Sequence, residues 1–350
     1  LQSGSGDGSI STIYEVARLA GVSVATASRA LNNTGYVSKE ARTRVLEAAR
    51  QLNYHINVNA RSLTSGKTYT IALVLPDVTN PFFPAVARGV EDAASRKGYS
   101  VILCNTDGSA RKEADYLNML RSRRVDGIIF TTSELSGARI SSIIGTSTAV
   151  VLVDRDLGEP YDIVKTDNVK GGFLATNHLI SLGHTRIAVI SGPLSLTTGL
   201  ERVQGYKNAL AQAGIPFDES LVVEGDFRQQ GGRAAMERLI EECGGKPSTK
   251  FSAVFACNDL MAVGALTALE DHGIAVPSEV AVVGYDDIAF ASVTRPRLST
   301  VAQPKYEMGV LAAEMLLRRM ANPALPRQQE VLQPMLVIRD STLERSLKCG

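Results

Sequence analysis

Several short runs place side chains of one chemical kind at the same point of a repeating pattern. "TNPFF" (79–83), "DRD" (154–156), "GDF" (225–227), "CND" (257–259) and "GYDD" (284–287) each follow a short, β-rich apolar run. Asn80, Asp154, Asn258 and Asp286 present paired donors or acceptors, and Arg155 and Arg202 (in "GLERVQGY") present forked donors. Such groups can span neighbouring hydroxyls. Phe82, Phe83 and Phe227 add flat apolar faces for the C–H surface of a sugar ring. Gln303, in "VAQPK", joins the set. The chemistry is recognition of a small, uncharged polyol.

Bond-making chemistry has weaker support. Cys257 stands beside Asn258 and Asp259, and His184 follows a glycine, which allows a Cys-His hydrolase to be imagined. Adjacent side chains at a strand end point in alternating directions, which argues against one catalytic cluster. His178 and His184 flank a helix end, where a structural role is expected. Asp286–Asp287 has no histidine or further carboxylate at ligand spacing. No phosphate-cradling Gly-rich loop with a lysine and no Gly-x-Ser-x-Gly elbow occurs. The sequence predicts no enzyme, no metal and no cofactor.

A second constellation suits a polyanion. In "TIYEVARLAGVSVATASRALN" (12–32), Ile13, Val16, Ala17 and Ala20 recur at helical spacing before Gly21 stops the helix. Ser23 is a good N-cap for a second helix through Ala25, Ala27 and Ala30 to Leu31. Two short helices joined by a tight glycine turn make a helix-turn-helix. Ser38 caps a third predicted helix, with Val37, Ala41, Val45, Ala48, Ala49 and Leu52 as its buried stripe. Residues 11–67 hold eight Lys/Arg and three Asp/Glu, whereas residues 68–350 hold 29 and 32. A basic head on a slightly acidic body points to a nucleic acid partner for the head.

These groups need elements to hold them. Beyond Tyr69 the runs "TIALVLP", "SVILCNT", "VDGIIFT" and "AVVLVD" alternate with helical stretches, and the rhythm resumes in "RIAVISG", "SLVVEGD", "AVFACND" and "VAVVGYD". Two such series predict an α/β body of two parallel-sheet subdomains. Ligands of open α/β sheets bind beyond the carboxyl ends of the strands, where the polar runs stand. The four cysteines (Cys104, Cys243, Cys257, Cys349) show no pairing or zinc-like spacing, so reduced thiols are expected. No apolar run approaches the roughly 20 residues of a membrane helix. Residues 1–10 read as a leader or expression scar, and a cytoplasmic, nucleoid-associated protein is expected.

"TIYEVARLAGVS", "ATASRALN", "VSKEARTRVLEAARQLNY" and "NARSL" resemble the LacI/GalR family of bacterial repressors, and the likeness continues to about residue 340. The body resembles periplasmic ribose-binding proteins, and "LCNTDG", "GHTRIAVISGPL" and "GYDDIAFAS" look like ribose-operon repressors. The resemblance implies a helix-turn-helix domain over 11–56, a hinge over 57–67 and a sugar-binding body over 68–340. Subdomain one would comprise about 68–167 plus 299–327, and subdomain two about 168–298 plus 328–340, with 341–350 as a tail.

In such a head the second helix enters the major groove. Val24, Ala25, Ser28 and Arg29 would face bases, with Arg29 forked on guanine. Thr12, Ser23, Thr26, Asn32, Ser38 and Tyr54 would hold phosphates; capping or solvation is the alternative for each Ser and Thr. Leu63 would wedge the minor groove, with Asn57, Ala60 and Arg61 near groove or backbone. The ten polar and aromatic body residues match ribose-contacting positions. Ala27, Ile56 and Pro76 depart from the usual valine, proline and small polar residue. The implied partners are palindromic operator DNA, a sugar effector and a second copy of the chain. D-ribose or a close pentose as inducer leads. Another sugar, a sugar phosphate or a purine-type corepressor stands as alternative, and a transport protein as a remote one.

Overall fold

The computed structural model describes residues 11–32, 35–54, 66–131, 135–145, 147–158 and 160–343. The predicted hinge residues Ile56, Asn57, Ala60, Arg61 and Leu63 lie outside the described residues. Two compact units divide between Thr68 and Tyr69.

The first unit holds α1 (Ile13–Ala20), α2 (Val24–Asn32) and α3 (Lys39–Gln51). Thr12 and Glu15 close the start of α1, with the Thr12 N–H donating to Glu15 Oε2 at 2.7 Å. Gly21 ends it in the left-handed region (φ 64°), where glycine has no Cβ to clash. Ser23 Oγ accepts the Thr26 N–H at 3.1 Å, and Ser38 Oγ accepts the Ala41 N–H at 3.2 Å. The core is built of small residues: Val16, Ala17 and Ala20 meet Ala27, Ala30, Val45, Ala48 and Ala49. Three short helices with so little apolar volume pack closely instead of deeply.

The second unit folds as two lobes. The first sheet contains β1 (Thr70–Leu75), β2 (Ser100–Asn105), β3 (Gly127–Phe130), β4 (Ala149–Val153), β5 (Asp162–Thr166) and β11 (Gln329–Leu332), in the order β11-β5-β4-β3-β1-β2. The second contains β6 (Ile187–Ser191), β7 (Val222–Glu224), β8 (Ala253–Ala256), β9 (Ala281–Asp286), β10 (Ser299–Ala302) and β12 (Met335–Val337), ordered β12-β10-β9-β8-β6-β7. All neighbours are parallel except β12, which runs antiparallel to β10.

Both faces of each sheet are buried, as parallel sheets require. In β1, Ile71, Leu73 and Leu75 meet α4 (Phe82–Ser95) and α11 (Lys305–Ala321). Ala72 and Val74 meet the opposite layer of α5 (Ala110–Ser122) and α6 (Gly137–Ile144). The second lobe is covered by α7 (Asn168–Ser181), α8 (Thr197–Gln212), α9 (Gln229–Glu242) and α10 (Asp259–Asp271) around one continuous core.

Three helix pairs cross through reciprocal glycines. A Cβ on Gly89 of α4 would stand 2.1 Å from Tyr306 O, and one on Gly309 of α11 would stand 2.1 Å from Val86 O. Gly172 of α7 and Gly205 of α8 are set equally close to Arg202 O and Val169 O. A Cβ on Gly232 of α9 would stand 2.3 Å from Met261 O, and one on Gly264 of α10 would stand 2.0 Å from Gln229 O. Side chains larger than hydrogen cannot enter these crossings without parting the helices.

The chain passes between lobes at Asp167, at Gln303–Pro304 and at Gln333–Pro334. These points correct the expected boundaries. Residues 299–302 form β10 of the second sheet, and 329–332 form β11 of the first, because both pair as strands before the chain crosses. The expected tail also begins too early. Ser341 and Thr342 are buried in lobe two, where Ser341 Oγ donates to Val282 O at 2.6 Å and Thr342 Oγ1 lies 2.9 Å from His178 Nε2.

Candidate effector cleft and DNA-binding head

The carboxyl ends of the two sheets face a cavity of about 170 Å³. Nine of the ten expected residues line it: Asn80, Phe82, Phe83, Asp154, Arg155, Arg202, Phe227, Asn258 and Asp286. Gln303 is not among the lining residues. It is buried and donates Nε2 to Asp286 Oδ1 at 2.7 Å, which fixes the Asp286 carboxylate.

Sharp turns aim these side chains. Asp154 (φ 70°), Phe227 (φ 63°), Asp286 (φ 110°) and Asp287 (φ 53°) all occupy the positive-φ region that L-residues rarely adopt. Backbone strain of this kind gathers at functional sites when its surroundings enforce it. The surroundings of Asp286 are visible. Lys305 Nζ, from the first residue of α11, donates to the carbonyls of Asp286 and Asp287. Arg339 NH2 binds Asp287 Oδ1 at 2.7 Å, and buried Asp259 accepts the Ile288 N–H at 2.8 Å.

Arg202 is the charge centre. NH1 lies 3.7 Å from Asp286 Oδ1, and NH2 lies 3.9 Å from Asp154 Oδ2 on the other lobe. Nε donates to Asn168 Oδ1 at 2.9 Å, NH1 donates to Cys257 O at 2.6 Å, and the guanidinium stacks 3.9 Å from the Tyr285 ring. Burial alone would weaken the Arg202 cation, but Tyr285, Asp286 and Asp154 hold its pKa above the usual value. Burial raises the Asp154 carboxyl against the pull of Arg202, and it pushes Asp286 up to about 6. Asp154 Oδ1, Arg155 NH1 and Gln303 Oε1 are buried with no hydrogen-bond partner among the described residues, and such atoms call for a polar partner.

Not every lining residue is equally available. Asn258 caps α10, its Oδ1 accepting the Met261 N–H at 2.9 Å and its Nδ2 donating to Phe227 O at 2.8 Å. Asn80 Oδ1 accepts the Phe82 N–H at 3.0 Å. Burial pushes the Cys257 thiol up to about 12, so no thiolate nucleophile stands there. His184 pairs with Ser252.

Sequence reasoning passed over Asp77, Thr131, Leu196, Thr198, Asp226 and Arg228, which also line the cavity. Their signal was position alone: Asp77 follows Pro76, Thr131 follows β3, and Asp226 and Arg228 flank Phe227. With them the lining holds four aspartates and three arginines, close to electrical balance.

On the head, Ala25 and Arg29 are exposed and Val24 and Ser28 half-buried along α2. Arg29 Nε donates to Ala25 O at 3.2 Å, which bends the side chain along the helix. Asn32 Nδ2 donates to Ser28 Oγ at 3.3 Å. Thr12, Ser23 and Ser38 all cap helices; Thr26 Oγ1 sits 2.9 Å from Ser23 Oγ, and Tyr54 packs on the head core. Tyr14 and Tyr36, not singled out from sequence, expose their rings.

A helix-turn-helix head on a two-lobed binding body defines a ligand-responsive DNA-binding regulator. Residues 12–57 match the profile of bacterial regulatory proteins of the lacI family, and residues 176–342 match a periplasmic binding protein-like domain. The transcriptional regulator DegA of Bacillus subtilis is 38% identical over 335 residues, covering 95% of this chain and 98% of DegA. The ribose operon repressor of Escherichia coli is 38% identical over 334 residues, covering 95% of this chain and 100% of the repressor. Among solved structures, the lac repressor dimer bound to operator and an anti-inducer superposes with a TM-score of 0.83 at 27% identity, covering 95% and 99% of the two chains. The regulator CelR in complex with cellobiose superposes at 0.71 with 35% identity and the same coverage. The chain belongs to the LacI family of bacterial regulatory proteins, whose members regulate transcription and are not enzymes.

Proposed function

We propose that this regulator represses a sugar-utilisation operon and is released from its operator by a small uncharged sugar, D-ribose or a close pentose. The observation that carries this reading is the polar set centred on Arg202, with Asp154 from one lobe and Asp286 from the other. Aspartates accept from sugar hydroxyls, arginines donate to them, and Phe82, Phe83 and Phe227 offer apolar faces. Near-balanced charge favours a neutral sugar over a sugar phosphate. The cavity of about 170 Å³ is smaller than the roughly 300–1,000 Å³ clefts that take drug-sized ligands, which favours a monosaccharide over a disaccharide. The ribose operon repressor of E. coli, at 38% identity, supports ribose; the cellobiose-bound neighbour supports the disaccharide as the second reading.

A bound sugar acts through unequal affinity for two arrangements of the lobes. A homodimer reads a palindromic operator, with Val24, Ala25, Ser28 and Arg29 at the bases. Thr12, Ser23, Thr26, Asn32, Ser38 and Tyr54 contact phosphates. Leu63 wedges the minor groove, flanked by Asn57, Ala60 and Arg61. Unchanged operator bending in Leu63→Ala would remove the wedge.

The deciding experiment is a calorimetric screen of pentoses, hexoses and cellobiose, run with and without operator duplex. Ribose binding that weakens in the presence of operator is the expected result. Tighter binding with operator would make the sugar a corepressor. Operator binding without heat from any sugar would sink the effector reading alone.

A further inference from the structure

The three crossings between the lobes lie on one side of the cleft. They follow β5, β10 and β11, which stand at or next to one edge of their sheets. β1 and β2 complete the other side of the first sheet, and β6 and β7 the other side of the second. Three to four strand spacings of about 4.8 Å separate the two sides, or roughly 14–19 Å. The rim formed by the loops after β1, β2 and β7 is therefore what a rotation of the lobes moves furthest. A rotation of about 15° at the crossings would part it by about 4–5 Å.

Opposite charges face each other across that rim. Arg228, just before α9 on lobe two, has its Nε 4.0 Å from Asp77 Oδ2 on lobe one. Neither makes another ion pair with a described residue within that distance. Asp226 Oδ1 accepts the Arg228 N–H at 2.8 Å, which fixes the backbone from which the guanidinium reaches out. On lobe one, Asp77 Oδ1 accepts the Thr79 N–H at 2.9 Å, leaving Oδ2 for Arg228. Asn105 ties the two acidic loops together. Its Oδ1 accepts the Val78 N–H at 2.8 Å, and its Nδ2 donates to Asp107 Oδ1 at 2.5 Å. Lys112 first, then Asn105 and Arg228, hold the Asp107 carboxyl below the usual carboxylate range.

We propose that Arg228 is a positioning residue at the cleft mouth, forming with Asp77 and Asp107 an ionic clasp that draws the lobes together over the ligand. A neutral sugar then binds with an affinity that depends on salt. An exposed ion pair on one rigid surface contributes little. Here the partners belong to two lobes, so their attraction is a difference between open and closed arrangements, the only kind of contact that can shift that balance. The side chains are 57% and 25% exposed, which leaves the pair open to screening. Phe227 joins Asp226 to Arg228 and lines the cavity, so the clasp and an apolar face for the sugar share one turn. The sugar arm of the test rests on the reading of this cleft as the effector site; the distance arm does not.

The distance arm uses the full chain with Cys243→Ser and Cys349→Ser, nitroxide labels at Asp115→Cys of α5 and Glu241→Cys of α9, and an excess of unlabelled chain. Both helices follow directly from the rim loops. Without sugar, raising salt from about 0.05 M to about 1 M, where the screening length falls to about 3 Å, should lengthen the separation measured by pulsed electron resonance. Adding Arg228→Gln should give the long separation at both salts. One separation for both proteins at both salts overturns the clasp. In the sugar arm, calorimetry with D-ribose should show the parent binding about two- to fivefold more tightly at low salt. Arg228→Gln and Asp77→Asn, which keeps the Thr79 turn, should each abolish that difference, and the double variant should lose nothing further. Additive losses, or Asp77→Asn behaving as the parent, would make Arg228 a direct sugar contact and overturn the clasp. A salt-sensitive separation with no heat from D-ribose upholds the clasp and removes ribose as the effector.

Discussion

Arg202 and Asp154 meet across the cleft, the guanidinium NH2 of one lobe lying 3.9 Å from a carboxylate oxygen of the other. The same guanidinium reaches Asp286 at 3.7 Å, so one buried cation serves two carboxylates, Asp286 buried and Asp154 half-buried. Taking one member from a buried ion pair typically costs about 3–5 kcal/mol, since the remaining charge is left uncompensated. Arg202→Met should therefore lower the melting temperature of the body at pH 7. Part of the loss should return at pH 5, because burial already raises both carboxyl groups and protonation would neutralise them. Thermal melts at the two pH values check this; an equal loss at both would mean that packing on Tyr285, not charge, is what Arg202 supplies.

Asp286 carries a separate pH dependence. Its pKa is raised by burial from 3.8 to about 6 in the folded protein. The folded state holds the proton longer than the unfolded state, so the group's contribution to stability is full below pH 3.8 and is lost as the pH rises to about 6. In Asp286→Asn that downward slope should be absent. Sugar hydroxyls donate to the ionised form, so ribose affinity of the parent should increase as the pH rises through about 6 and be lost in the variant. Operator binding should persist in both. Normal ribose binding by Asp286→Asn would remove Asp286 from the residues that hold the sugar.

Arg29→Ala separates the head from the body. Losing a bidentate hold on guanine costs about 1–3 kcal/mol of base discrimination, a factor of roughly 5 to 150. Anisotropy titrations should show the operator preference collapsing toward that for scrambled duplex, while ribose calorimetry is unchanged. Retained preference would move base reading elsewhere on α2.

Gly264→Ala tests the helix crossings. The added Cβ would stand 2.0 Å from Gln229 O, and backbone cannot swing aside as a side chain does. Overpacking of this kind costs about 1–3 kcal/mol and occasionally more. Denaturant unfolding should shift its midpoint downward, whereas Gly214→Ala, in a left-handed turn with nothing within 4 Å, should cost through backbone strain alone. Equal stability of Gly264→Ala and the parent would show that α9 and α10 part freely.

How much of this could be read beforehand depends on the element. The eight apolar runs quoted from the sequence all became strands; six are largely buried and carry an uninterrupted hydrophobic signal, while β2 and β7, at the sheet edges, are partly exposed. β5, β10, β11 and β12 were missed. β11 is Gln329–Leu332 with three exposed residues, and β12 has only three residues, so neither writes a burial pattern. That silence also displaced the lobe boundaries, which fall beside these strands. At the cleft, side-chain type at strand ends pointed to nine lining residues. What sequence could not supply was distance: Gln303 lies 2.7 Å from Asp286, while Asp77, Asp226 and Arg228 came to the cavity as neighbours of the residues that were named.

The three passages between the lobes bear on synthesis. Lobe one begins at β1, yet Met308, Met315 and Leu316 of α11 belong to its core, and β11 closes its sheet only at residue 332. Lobe two in turn waits for β12 and for Ser341 and Thr342. Neither lobe can finish on a ribosome that has not made almost the whole body, whereas the head is complete by Tyr54. A nascent chain thus carries a finished DNA-binding head well before it has a body able to respond to sugar.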